Sequence, residues 1–195
     1  MAGFISPAAF NEAVRDFHEL AQRVGLAPWS EAQIIRFHGE PSLRLKANLE
    51  HQGRSPSISI PSAELEEDCE DADDELLEGK AAGVAPGLVT CDVIRSASYQ
   101  VPVLYLSGVS IDLLRKMEQT NCSIAGEPRA PISFVDHPWT NTPVHAIHPC
   151  RTAESMAVIA STRELTPLEF LVAWFGLVGR VVDLHVPHEI ALSAS

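Results

Sequence analysis

A cysteine stands directly behind a His-Pro pair at His148-Pro149-Cys150, and a second pair, His137-Pro138, lies upstream with Pro143 between them. Proline fixes φ and removes a backbone donor, and it pushes the residue before it into an extended conformation. A stretch punctuated in this way is stiff and irregular, suited to holding one side chain in place. That side chain is Cys150, a residue type whose thiolate is a strong nucleophile. A catalytic thiol needs help reaching the thiolate state. His148 is two residues away, which in an extended chain puts both side chains on one side of the backbone. His145 and His137 precede it. Any of the three could assist the thiol or move a proton, work worth about 10²–10⁴ in rate.

Other readings stay open from spacing alone. A cysteine beside a turn is often a small buried hydrophobe. Three histidines and a cysteine could bind zinc, although their spacing matches no common zinc pattern. A cysteine protease would need a distant His, and usually Asn or Asp, that nothing here marks. The residues themselves read as a thiol active site on a small domain.

The elements that must position it follow from pattern. Ser6-Pro7 opens a helix carrying Phe10, Val14, Phe17, Ala21 and Val24 as one apolar stripe, ended by Gly25. Ser42 to Glu50 alternates, with Leu43, Leu45, Ala47 and Leu49 on one face, and predicts a half-buried strand. Leu88 to Ala97 and Val101 to Leu106 are strand-like around the break Ser98-Tyr99-Gln100, and Pro102 argues for an edge strand or a bulge. Ser110 to Gln119 predicts a short helix with Ile111, Leu114 and Met117 on one side. Ile132 to Val135 and Pro143 to Ile147 are short extended pieces leading to Cys150. Thr166-Pro167 caps a final helix to about Val178, with Leu168, Leu171, Val172 and Phe175 at helical spacing and Gly179 as its stop. Strands followed by helices argue for an α+β domain with an antiparallel sheet.

At 195 residues, 46% hydrophobic and 21% charged, the chain has the size and composition of one globular domain, residues 1–195. The formal net charge is −12, but ten acids and no basic residue lie between Glu64 and Glu78. Outside that window the chain is nearly neutral, which disfavours nucleic-acid binding through a basic face. The window belongs to a Ser-, Pro-, Gly- and acid-rich stretch at about 53–86, expected to be a flexible acidic insertion. The four cysteines (Cys69, Cys91, Cys122, Cys150) lack C-x-x-C spacing and scaffold density. No signal peptide is visible, and the longest apolar run, Phe170 to Val178, is far short of the ~20 residues of a membrane span. A soluble, cytoplasmic protein without stable membrane insertion is expected.

The segment His137-Pro138-x4-Pro143-x4-His148-Pro149-Cys150 resembles the active-site signature of the autophagy E2-like conjugating enzymes. Ser98-Tyr99-Gln100-Val101-Pro102-Val103-Leu104-Tyr105 is similar to a strand signature of the smaller member of that family. So is Trp174-x3-Val178-Gly179-x-Val181-Val182-x-Leu184-x2-Pro187. The three motifs span roughly Cys91 to Pro187, about half the chain.

The resemblance implies an E2-like fold, a curled antiparallel sheet with helices packed against it. It implies that Cys150 accepts a ubiquitin-like modifier (autophagy-related protein twelve) as a thioester from an E1-like enzyme (autophagy-related protein seven). The modifier then passes to a lysine of a protein substrate (autophagy-related protein five). No metal or nucleotide cofactor belongs to such an enzyme itself. Lysine attack builds a tetrahedral oxyanion that needs fixed donors, for which His148 and, less directly, Asn141 are candidates. Tyr99, Val101, Val103 and Tyr105 are the substrate-binding candidates: Tyr99 or Tyr105 would line the site or simply pack, or Ser98 to Leu106 would instead offer a strand edge to which the substrate adds a further strand.

Two departures bear on the choice within the family. Ile147 stands where leucine is frequent, and the acidic stretch is longer than the smaller member would have, a feature of the larger, lipid-modifying member. That lipid-transferring enzyme and a non-catalytic modifier-binding module are the alternatives. The retained Cys150 weighs against the second.

Overall fold

Ser6 accepts the Ala9 N–H through its side chain at 3.1 Å, and Pro7 fills the first turn, where a missing N–H costs nothing. These residues start helix α1 (Pro7–Val24), which Gly25 ends at φ 102°. Phe10, Ala13, Val14, Phe17 and Ala21 are buried, whereas Val24 is 38% exposed, so the apolar stripe stops one turn short of expectation. The computed structural model describes residues 3–25, 29–37, 39–49, 87–121 and 130–194. The stretch at about 53–86, Cys69 and Cys122 lie outside the described residues.

Strands β1 (Trp29–Phe37) and β2 (Glu40–Asn48) form an antiparallel hairpin, with Gly39 at φ 84° in its turn. The sequence reading missed β1. A register shift between Trp29 and Glu31 places the buried Trp29 and Ala32 three residues apart, so the period-two pattern is broken. In β2, Leu43, Leu45 and Ala47 are fully buried, as the alternation predicts. Strands β3 (Leu88–Arg95) and β4 (Pro102–Ser107) follow, then helix α2 (Ile111–Thr120) and strands β5 (Ile132–Asp136) and β6 (Pro143–Ile147). The six strands form an open antiparallel sheet in the order β1-β2-β3-β4-β6-β5.

Two expectations need correction here. Strand β4 is interior, between β3 and β6, and carries no bulge in its register with β3. Pro102 is tolerated because it is the first residue of the strand, another position open to proline. In α2 the buried residues are Leu113 and Met117, while Ile111 is 62% exposed, so the inward face lies one residue off the expected one.

A 3₁₀ turn (Pro149–Arg151) runs into helix α3 (Thr152–Ala160), which the sequence reading also missed because its apolar residues do not line one face and only Met156 is buried. Helix α4 (Pro167–Val178) begins with a reciprocal capping box between Thr166 and Glu169. A second 3₁₀ turn (Gly179–Val181) follows, and the short helix α5 (His188–Ser193), rather than α4, comes last.

One face of the sheet carries Leu43, Leu45, Cys91, Val93, Leu104 and Leu106 against α1 and α4 in a continuous core. Phe17 of α1 stacks on Phe175 of α4 at 5.1 Å and meets Trp29 of β1 at 5.4 Å, joining three elements. This is the α+β arrangement expected of an E2-like domain. No helix among the described residues is long and apolar enough to cross a membrane.

Candidate active site

The opposite face of the sheet organises the approach to Cys150. Arg44 and Asp92 are register partners on β2 and β3, and the guanidinium grips the carboxylate twice, at 2.7 Å each. Asp92 is almost fully buried, and its second oxygen accepts a hydrogen bond from His137 Nε2 at 3.1 Å. The other ring nitrogen, Nδ1, accepts the backbone N–H groups of Trp139 and Thr140 at 3.2 and 3.4 Å. Accepting at Nδ1 and donating at Nε2 requires a neutral ring, and burial holds the His137 pKa below its usual value of 6.5 against the opposing pull of Asp92. His137 therefore anchors the β5–β6 turn to the sheet. Its ring also lies edge-on to Tyr105 at 5.4 Å and to Trp139 at 5.7 Å. It is not available to assist the thiol.

From that turn, β6 leads straight to Cys150. The His148 N–H donates to the Pro131 carbonyl at 2.8 Å, extending the β5–β6 pairing one residue past the strand. The chain then turns instead of continuing extended. His148 caps the 3₁₀ turn, and its Nδ1 accepts the Cys150 backbone N–H at 3.2 Å. This corrects the expectation that an extended backbone puts the His148 and Cys150 side chains on one side. Nδ1 is an acceptor occupied by the backbone and cannot donate to an oxyanion. Nε2, the remaining donor, lies 3.5 Å from the Tyr99 hydroxyl, with the two rings edge-to-face at 5.6 Å.

Cys150 is exposed, in the first turn of the helical segment that becomes α3. The positive end of a helix dipole favours negative charge, and the tetrahedral intermediate of acyl transfer carries one. The other described cysteine, Cys91, is fully buried in the sheet, and burial pushes its thiol pKa up.

The remaining candidates separate. Tyr99, 43% exposed in the β3–β4 turn, is brought to His148. Val101 is fully buried and Val103 is 5% exposed, so neither side chain can meet a substrate; both pack within the domain. Tyr105 is half-buried against His137, and burial raises its pKa. The β4 edge at Tyr105 and Leu106 is occupied by β6, so an added strand could pair only with the earlier residues of β4. Asn141 is exposed at φ 51°, shaping the β5–β6 turn through its N–H, which donates to the His137 carbonyl at 2.9 Å. His145 packs on Phe134 at 5.2 Å. Among the described residues no group of three or more His, Cys, Asp or Glu side chains is placed to hold a metal.

The sequence reading missed Arg44 and Asp92, whose role depends on cross-strand pairing between segments 48 residues apart. It also missed a cavity of about 320 Å³ beside the Cys150 turn, lined by His148, Arg151 and Thr152 and, from α4 and the turn after it, by Leu177 and Arg180.

A family described as "Autophagocytosis associated protein, active-site domain" matches residues 9–189. Three relatives named ubiquitin-like-conjugating enzyme ATG10 illustrate the likeness. The Arabidopsis thaliana protein is 30% identical over 113 residues, 50% of this chain and 50% of the relative. The Homo sapiens protein is 30% identical over 114 residues, 53% and 52%. The Gibberella zeae protein is 26% identical over 173 residues, 80% and 70%. The chain thus spans about half the length of its plant and human relatives.

Proposed function

The chain belongs to the autophagocytosis-associated active-site family, and from that premise we propose that it is an E2-like conjugating enzyme working through a thioester on Cys150. The observation that carries the reading is the exposed Cys150 thiol on a turn whose backbone is held by His148, at the start of α3. The names of the relatives support the same activity. A ubiquitin-like modifier is then its partner, and the resemblance supplies the finer identities. These are autophagy-related protein seven as the E1-like donor, autophagy-related protein twelve as the modifier and autophagy-related protein five as the acceptor.

Two acyl transfers make up the reaction. In the first, the Cys150 thiolate attacks the modifier's C-terminal carbonyl on the E1-like enzyme. The new C–S bond forms, the old one breaks, and the donor cysteine leaves as thiolate. Exchange between two cysteines is nearly balanced. In the second, a lysine amine attacks that carbonyl, a C–N bond forms, Cys150 departs as thiolate, and the amine proton passes to solvent. Cys150 is the carrier, while His148 and Tyr99 hold its turn and wall.

The test is a thioester assay on non-reducing gels with E1-like enzyme, modifier and ATP. Wild type is expected to give a thiol-sensitive adduct, and Cys150→Ser a thiol-resistant ester or nothing. A thiol-sensitive adduct persisting in Cys150→Ser would overturn the assignment. Loading only by the lipidation-pathway modifier would replace the protein acceptor with a lipid.

A further inference from the structure

The cavity beside the Cys150 turn gathers donors that no described residue of the domain uses. Arg151 follows Cys150 directly, and Arg180 reaches the same space from the turn after α4. Both arginines are exposed, and neither takes part in any ion pair among the described residues. Thr152 and Ser155 add two hydroxyls that make no hydrogen bond there either. Leu177 and Val181 supply apolar wall, and the described lining contains no Asp or Glu. Two guanidinium groups and two hydroxyls lining one space, with no acid among its described lining residues, make a site for carboxylate, because a guanidinium grips a carboxylate through paired N–H groups.

We infer that this cavity seats an acidic stretch of the acceptor protein, its carboxylates flanking the lysine to be modified. The inference rests on the reading of Cys150 as thioester carrier and adds to it a rule for choosing the lysine. Two points favour this occupant. The cavity shares His148 and Arg151 with the Cys150 turn, so a peptide held there presents its neighbouring residues to the thioester. A modifier tail loaded on Cys150 has lost its terminal carboxylate to the thioester and leaves two cations unmatched.

The test uses the full chain and two fluorescent peptides with a single lysine, one flanked by glutamates and one by glutamines. Binding is read by anisotropy without loading, and single-turnover discharge is read after loading, beside discharge to free lysine. Wild type is expected to prefer the glutamate peptide by about tenfold or more in both readouts, the ratio of one charge-assisted contact. Arg180→Glu should abolish that preference while loading and discharge to free lysine stay unchanged. Arg180→Gln should give an intermediate ratio, and Arg151→Glu should lose the binding preference as well. Equal use of the two peptides by wild type would overturn the proposal. So would a fall in loading matching the fall in discharge in Arg180→Glu, which would give the cavity to the modifier. Tighter capture of the protein by phosphatidylserine vesicles than by the glutamate peptide, lost in Arg180→Glu, would give it to a lipid surface. If wild type prefers the glutamate peptide in binding yet never loads, the cavity's assignment stands and the thioester reading fails.

Discussion

His148 and Cys150 are joined through the backbone and not through the thiol: the Cys150 N–H donates to His148 Nδ1 at 3.2 Å. The same contact recurs at the first His-Pro pair, where the Trp139 N–H donates to His137 Nδ1, also at 3.2 Å. In both, an imidazole followed by proline accepts the N–H two residues on, the role an Asn or Asp side chain takes in an Asx-turn. The repeated His-Pro of the sequence is one structural device used twice. The first copy ties a turn to the sheet, and the second shapes the turn that carries Cys150.

If His148 acts as a cap, its substitution should hurt both acyl transfers alike. Losing an N-cap costs about 0.5–2 kcal/mol, so His148→Ala should slow loading and discharge by a common factor of roughly 2–30. His148→Asn keeps an acceptor suited to the position and should recover most of the loss. Single-turnover rates for each step settle it. A loss confined to discharge, with no recovery by Asn, would instead make the ring a participant in lysine attack.

The His137 contacts predict a pH dependence with a definite sign. Burial holds the folded-state pKa below the ordinary 6.5. Below pH 6.5 the unfolded ring takes up a proton that the folded ring refuses, so the unfolded state binds more protons and stability is lost as the pH is lowered. Above that value both forms are neutral and the contribution is complete. Denaturant midpoints should therefore be level between pH 7 and 8 and decline below 6.5, by at most about 1.4 kcal/mol per pH unit from this ring. His137→Asn should be less stable at neutral pH but flatter across that window. Glu169 titrates separately. The Thr166 N–H, then Arg163, holds its pKa below 4.5, so its contribution is lost only at lower pH. An unchanged slope in His137→Asn would remove the ring from the account.

How much of this was legible depended on whether a feature is local. The caps at Ser6 and Thr166 are local rules, and both start helices. The alternation of Leu43, Leu45 and Ala47 is local too, and those residues are buried. Strand β1 was hidden because a bulge breaks the only signal a strand has. The histidines show the limit most clearly. Spacing tells how far a side chain can reach but not which ring nitrogen meets which partner, and both Nδ1 atoms turned toward the backbone. Arg44, Asp92 and His137 meet only because the sheet order brings β2, β3 and the β5–β6 turn together.

Two glycines at the end of α4 should respond oppositely to alanine. A Cβ on Gly179 would lie 2.2 Å from the Leu184 carbonyl oxygen, a backbone atom, although the φ of −62° is ordinary. The Leu184 N–H also donates to the Gly179 carbonyl at 2.8 Å, so the two segments cannot part without losing that bond. Gly179→Ala should cost about 1–3 kcal/mol, which at about 2–4 °C per kcal/mol lowers Tm by several degrees. Gly176 has nothing within 4 Å of its would-be Cβ and sits inside the helix, where alanine is favoured by about 0.5–1 kcal/mol. Thermal melts of both variants test the contrast. Equal melting temperatures would mean that the Leu184 segment yields freely.

Thiol accessibility separates the proposed carrier, Cys150, from its buried counterpart without any partner protein. In a Cys69→Ser, Cys122→Ser background only Cys150, which is exposed, and Cys91, which is fully buried, remain. Cys91 sits opposite Leu45 and Leu106 in the middle of the sheet, so a reagent reaches it only when that sheet opens. Opening of a core strand approaches global unfolding, whose equilibrium constant in small domains is about 10³–10⁸. Maleimide labelling of the native protein should therefore modify one thiol, Cys150, with Cys91 following at least ~10³-fold more slowly and only as fast as the fold opens. Peptide mapping identifies the modified residue. Rapid labelling of both would mean that β3 is not held in the core, and protection of Cys150 would mean that the turn capped by His148 closes over the thiol. That second result would also be fatal to transthiolation at this residue, since the donor's carbonyl has to reach the same sulfur that the reagent could not.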